Sequence, residues 1–242
     1  MHARLGAEVK ALHGLPSGDG ARCPARHPRR VVWGVPPALP KDEVDVLRRF
    51  LGRGRGRCLD LGCGTGNAIA ALNRLGWTVI GVDLSDAMLN RAPERANDAE
   101  LIQAPAEALP FDDSTFDAGV SLWTHTDVDD FSAVLQEAAR VLRPEAPFVY
   151  MGAHPCFVGP HSRFIAGEGV PTLHRGYRRA ERYDSGPAIS PDGLRARVGA
   201  THLPLGLFIQ AFLDTGFQIL SFEEVGIREY PYSVALHCRA SG

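Results

Sequence analysis

With 242 residues, 45% of them hydrophobic and 22% charged, the chain has enough apolar side chains for one substantial core under an ordinary globular surface. A formal net charge of −2 supplies no global basic field for nucleic acid or for an anionic membrane face. No apolar run approaches the ~20 residues that cross a bilayer, Met1-His2-Ala3-Arg4-Leu5 does not lead into a signal core, and five scattered cysteines make no disulfide framework, so a soluble cytoplasmic protein is expected.

Residues 1–40 are rich in proline and in small or basic residues and have little hydrophobic period. They read as an arm or lid, with Arg22, Arg26, Arg29 and Arg30 solvated. From Lys41 the pattern changes. Val44, Val46, Leu47, Phe50 and Leu51 fall near helical spacing up to Gly52. Arg57-Cys58-Leu59-Asp60-Leu61 is a short apolar strand that runs into Gly62-Cys63-Gly64-Thr65-Gly66. No His or Cys pair completes a zinc pattern with Cys58 and Cys63, so no metal site is expected.

A helix over Ala68–Leu75, stopped by Gly76, leads to a β-branched strand, Thr78 to Val82, that ends at Asp83. Ser85 is placed to cap a second helix. Glu100–Gln103 suggests a third strand and Phe116–Leu122 a fourth. Asp130–Leu142 carries a helical stripe of Phe131, Val134, Leu135, Ala138, Val141 and Leu142, and Phe148–Met151 is a fifth strand. Such alternation implies parallel strands joined by right-handed crossovers.

The rhythm breaks over residues 153–205, which are rich in Pro, Gly, His and Arg and too long for an ordinary loop; they read as a substrate lid. A helix near Leu207–Leu213 and two strands, Phe217–Val225 and Tyr232–Cys238, close the chain as a hairpin. The expected fold is α/β: a seven-stranded, Rossmann-like, mostly parallel sheet with a C-terminal antiparallel hairpin and a lid insertion. The expected organisation is one domain over 1–242, with arm 1–40, core 41–152, lid 153–205 and C-terminal helix and hairpin 206–242.

The chemistry starts at the glycine loop. Glycines let the backbone turn sharply at the strand end and let a ligand approach main-chain atoms, while the next helix turns its amides towards a carboxylate or phosphate. Asp83, one strand over, is placed to accept hydrogen bonds from ribose hydroxyls. The dinucleotide spacing G-x-G-x-x-G fails, because position 67 is Asn67. The glycines are instead spaced by two and preceded by Asp60.

An acid followed by three alternating glycines resembles the first motif of the class I S-adenosylmethionine-dependent methyltransferases. Ala106-Glu107-Ala108-Leu109-Pro110-Phe111 with Phe116-Asp117 is similar to that family's segment before the fourth strand. Arg140-Val141-Leu142-Arg143-Pro144 resembles its turn into the fifth, although Glu145 and Ala146 replace the usual glycines. The likeness runs in motif order from about Trp33 to Tyr150 and through the closing hairpin, and it looks closest to the ubiquinone and menaquinone type enzymes.

The resemblance implies S-adenosyl-L-methionine as cofactor and a small-molecule methyl acceptor. It places Asp60 at the methionine amino group, Gly62, Cys63 and Gly64 along the methionine and ribose, and Asp83 on the ribose hydroxyls. Leu84 and Met88 would lie near the adenine, Ala106 and Glu107 at its edge, and Leu122 on the methionine side. Core packing accounts equally well for Leu84, Met88 and Leu122.

Methyl transfer needs an O, N or C nucleophile held in line with the methyl carbon and shielded from water; a general base helps only when the acceptor loses a proton. His125, after the fourth strand, His154, after the fifth, and His202, before the C-terminal helix, are the expected catalytic or substrate-contacting residues. For His125 the alternative is a histidine that bonds its own loop backbone. In the lid, His161, His174, Tyr177, Tyr183 and the arginines Arg175, Arg178, Arg179 and Arg182 read first as structural or solvated, and Trp123 and Phe157 as core or as a flat wall for an aromatic acceptor.

Three other functions compete. A nicotinamide-dependent oxidoreductase shares the loop and Asp83 but not the glycine spacing. A protein of the same fold could bind the cofactor without transferring its methyl group. A nucleic-acid methyltransferase is disfavoured by the near-neutral charge and by the lack of an Asn/Asp-Pro-Pro-aromatic motif. The sequence leaves the oligomeric state open.

Overall fold

Side-chain alternation along the central strands sorts the core into two layers, one on each face of a sheet. The computed structural model describes residues 39–92, 99–164, 168–187, 189 and 193–241. Chain order begins with α1 (Lys41–Phe50), β1 (Arg57–Leu61), α2 (Ile69–Arg74), β2 (Thr78–Asp83), α3 (Asp86–Leu89) and β3 (Glu100–Gln103). It continues with β4 (Ala118–Leu122), a 3-10 turn at Thr124–Thr126, α4 (Phe131–Val141) and β5 (Pro147–Ala153). After an insertion come α6 (Leu205–Asp214), β10 (Phe217–Val225) and β11 (Ser233–Ala240).

The seven-stranded sheet has the order β10-β11-β5-β4-β1-β2-β3. Strands β1 to β5 pair in parallel, and β11 inserts antiparallel between β5 and β10. Connections leave β1 in opposite directions across the sheet, so the crevice beyond the carboxyl ends of β1 and β4 is the switch point where ligands of open α/β sheets bind.

On one face Leu59, Leu61, Phe148 and Tyr150 pack with Phe131, Val134 and Leu135 of α4 and with Phe208 and Phe212 of α6. On the other, Cys58, Val120, Val149 and Met151 pack with Val46 and Leu47 of α1 and with Ile69 and Leu72 of α2. Asp60 shares its face with Cys58, so its carboxylate points into the α1/α2 layer. Two helices start on caps visible in the sequence: the Ser85 hydroxyl accepts from Met88 N at 3.4 Å and Asp130 from Ala133 N at 3.0 Å.

Two expectations change. The fourth strand starts at Ala118 rather than Phe116, because Phe116 makes only an isolated bridge to Leu142 and Asp117 turns its amide to Arg57 O at 2.9 Å. The insertion is more ordered than its composition suggests. It pairs β6 (Ser162–Arg163) with β7 (Thr172–Leu173), and β8 (Glu181–Tyr183) with β9 (Ala200–His202), with α5 (Leu194–Val198) between the last two. The arm expected over residues 1–40, with its arginines, lies outside the described residues except for Leu39 and Pro40.

Candidate functional site

A cavity of about 430 Å3 opens at the switch point. The glycine loop floors it with Gly62, Cys63, Gly64 and Thr65; Asn67 and Ala68 continue from the loop, and Leu122 and Trp123 come from the end of β4. Leu39, Pro40 and Glu43 roof it from the start of α1, and Met88 closes one end from α3. The volume falls in the range of small-molecule and cofactor sites.

The loop needs its glycines for two reasons. Gly62 has φ 73°, and a Cβ there would sit 2.7 Å from Thr124 Oγ1. Gly64 has φ 54° with open space where a Cβ would go, which leaves the backbone bare towards the cavity. The amides of Gly62 and Cys63 donate to Val82 O at 2.8 and 2.9 Å, locking the loop to β2.

Asp60 is buried at 1% exposure, and its Oδ2 has no hydrogen-bond partner. Burial first, and the neighbouring Asp83 second, raise its pKa to about 7. An unpaired carboxylate oxygen of this kind suits an incoming ammonium group. Asp83 lies beside the loop and is held by two amides: Gly64 N donates to Oδ2 and Ser85 N to Oδ1, both at 2.8 Å. Burial raises its pKa and the two amides lower it. Each oxygen keeps a further lone pair for a ligand hydroxyl.

Glu43 is the residue that sequence reasoning missed. It is 8% exposed and faces the cavity opposite the loop. Its pKa is raised to about 7, chiefly by burial and then by Asp42, against a hydrogen bond from the Trp123 side chain that lowers it. A signal was present: Glu43, Val46, Leu47 and Phe50 share one helical face, so an acid occupies an apolar-stripe position. Trp123 sits in the left-handed region at φ 65°, an uncommon and costly backbone for a bulky residue. Its amide donates to Met151 O at 2.6 Å, and its ring lies 5.9 Å from Tyr232.

The other expected cofactor residues separate. Met88 and Leu122 line the cavity with Asp60, Gly62, Cys63 and Gly64. Leu84 lies outside the lining, with 66% of its surface exposed. Ala106 packs partly against the α4 layer and Glu107 is exposed; neither lines the cavity.

The three histidines do not meet there either. His125 is buried on the opposite face, among Phe131, Tyr150 and Phe208 with ring centroids 5.3–5.9 Å away. Its Nδ1 and the Tyr150 hydroxyl are hydrogen-bond partners, and burial, then His202 and Arg195, lower its pKa to about 3. His154 Nδ1 accepts from Cys156 N at 3.1 Å, so its Nε2–H donates to Glu224 Oε1 at 3.0 Å. Burial lowers its pKa, opposed by Glu224. His202 Nε2–H donates to Tyr177 O at 2.8 Å within the insertion, where burial lowers its pKa too. Each histidine has a structural partner and none lines the cavity.

A parallel sheet of this order, with a glycine loop after its first strand and an acid after its second, is the class I methyltransferase fold. Residues 59–150 match the family described as methyltransferase domain. A fatty-acid O-methyltransferase of Mycolicibacterium smegmatis is 38% identical over 103 residues, covering 41% of this chain and 38% of that protein. A ubiquinone/menaquinone biosynthesis C-methyltransferase of Desulfotalea psychrophila is 35% identical over 129 residues, covering 50% and 52%. The chain thus spans about half the length, or less, of these relatives. Among solved structures, an S-adenosylmethionine-dependent methyltransferase of Mesorhizobium loti superposes with a TM-score of 0.69 at 24% identity, over 82% of this chain and 97% of that one. No helix among the described residues is long and apolar enough to cross a membrane.

Proposed function

We propose that the protein binds S-adenosyl-L-methionine in the cavity between α1 and the glycine loop and transfers its methyl group to a small molecule in the cytoplasm. The observation that carries this reading is the unpaired, buried Oδ2 of Asp60 in a cavity floored by bare backbone. In this reading Asp60 holds the amino group, Gly62 to Gly64 run under the methionine and ribose, and Asp83 takes the ribose hydroxyls. Met88 and the exposed Leu84 flank the adenine, with Ala106 and Glu107 at its far edge. Leu122 and Trp123 wall the methionine side and keep water from the sulfur.

The bound cofactor supplies a methyl group already activated for transfer. The chain's own work is alignment and exclusion of water, so no general base is assigned to His125, His154 or His202. The names of the relatives, fatty-acid and quinone methyltransferases, favour an apolar small acceptor.

Calorimetry tests the reading. S-adenosylhomocysteine should bind the wild-type protein, and Asp60→Asn should weaken it by about 1.5–3 kcal/mol, roughly ten- to a hundredfold, for one lost charge-assisted contact. Incubation with the methyl donor and a panel of apolar acids and quinols should then release S-adenosylhomocysteine. No binding to the wild type, or undiminished binding to Asp60→Asn, overturns it.

A further inference from the structure

The cavity holds two acids where a single amino group calls for one. Glu43 enters from α1 and Asp60 from β1, and among the described residues no Lys, Arg or His lines the space they share. On its own helix Glu43 is flanked by Lys41, Asp42 and Asp45, of which Asp42, second to burial, raises its pKa, while the Trp123 side chain lowers it. The elements packed on α1 bring Ala68, Ile69 and Leu72 from the α2 region and Val149 and Met151 from β5 to this layer, while at the far end of the helix β10 brings Glu223, paired with Arg49, and β11 brings His237, stacked on Phe50. Among the described residues no cation lines the cavity to settle the charge of Glu43, and burial raises its pKa to about 7, near the pH at which the protein would work. A cation entering the cavity would settle it.

Resting on the functional reading above, the ligand brings two positive groups, an ammonium and a sulfonium, and the demethylated product keeps only the ammonium. Asp60 answers the group common to both. We propose that Glu43 is a specificity-determining residue that recognises the sulfonium charge, so that the cavity discriminates the methyl donor from its demethylated product. Glu43 gives its proton to solvent when the donor occupies the cavity. It regains one from solvent, forming its O–H bond again, when the uncharged sulfur of the product is in place. The cavity therefore favours the donor before transfer and loses that preference for the product afterwards, which eases product release.

Titration calorimetry at pH 7 in two buffers of different ionisation enthalpy counts the protons exchanged. The wild type should release more protons on binding S-adenosylmethionine than on binding S-adenosylhomocysteine, by up to about half a proton for a group with a pKa near 7. In Glu43→Gln that difference should vanish. Affinity for the donor should fall about tenfold there, while affinity for the product stays within about twofold, which also reports that the variant is folded. A measurement on the wild type alone gives an independent check: between pH 6 and 8 the ratio of product Kd to donor Kd should rise with pH. Equal proton release for both ligands, a pH-independent ratio, or equal weakening of both in Glu43→Gln overturns the proposal and leaves the functional reading standing. Failure of the wild type to bind either ligand overturns both.

Discussion

His125 shows how far one residue's surroundings can move its chemistry. A histidine after the fourth strand of an open α/β sheet is well placed for work on a ligand. Here the left-handed backbone at Trp123 precedes a turn that leaves the imidazole in the aromatic layer under α4 and α6, away from the cavity. Its partner there is the Tyr150 hydroxyl, buried at the centre of β5. Removing one partner leaves the other unsatisfied in an apolar layer, whereas replacing both by apolar rings of similar shape does not. Tyr150→Phe should therefore cost about 1–3 kcal/mol of unfolding free energy, and Tyr150→Phe with His125→Phe should cost less than the sum of the two single changes. Urea denaturation of the three variants measures the coupling, and simple additivity would show that the pair is not one unit.

Among the elements, α4 does more than fill the core. Arg140 in its last turn donates to Leu109 O at 3.1 Å, Phe111 O at 2.8 Å and Asp113 Oδ1 at 2.8 Å, and pairs with Glu137 at 2.8 Å. Glu137 in turn accepts from Leu109 N at 2.8 Å. This network ties the segment carrying Ala106 and Glu107 to a rigid helix, a physical reason for the Arg140-Val141-Leu142-Arg143-Pro144 motif to begin with an arginine. Arg140→Lys keeps the charge but loses the planar fork. It should lower stability by roughly 1–2 kcal/mol in denaturant titrations, and an unchanged midpoint would show that the network is dispensable. In the insertion, backbone pairing of β6 with β7 and of β8 with β9 could not be read from a run rich in Gly and Pro, because two- and three-residue strands carry no usable period.

At the scale of the whole molecule, two sets of buried or half-buried groups oppose each other across acid pH. His125, His154, His202 and His237 have native pKa values below their unfolded ones, so their contribution is complete above about pH 6.5 and declines as pH falls. Asp60 and Glu43 have native values raised to about 7, so theirs is complete below about pH 4 and declines as pH rises towards 7. The slopes have opposite signs between about pH 4 and 6.5, and the wild-type profile should be comparatively flat there. Asp60→Asn with Glu43→Gln removes the two carboxyls raised to about 7 and leaves Asp83, which burial also raises. Stability of that variant should climb more steeply with pH over this window, by up to about 1.4 kcal/mol per pH unit for each carboxyl removed. Thermal midpoints from pH 4 to 8 give the comparison, and parallel profiles would refute the balance.

The sequence by itself determined the alternation of strand and helix, the caps at Ser85 and Asp130, and the pairing of a glycine loop with Asp83, because each rests on local period, turn geometry or the spacing of one strand-helix-strand unit. Only the tertiary structure decided that α1 closes over the loop and brings Glu43 to the side of the cavity opposite it. The same holds for the histidines, each drawn off to a buried partner, and for Leu84, Ala106 and Glu107, which stand outside the cavity. These facts depend on which face of a strand or helix meets which neighbour across tens of residues, and side-chain burial and charge follow from that contact rather than from sequence order.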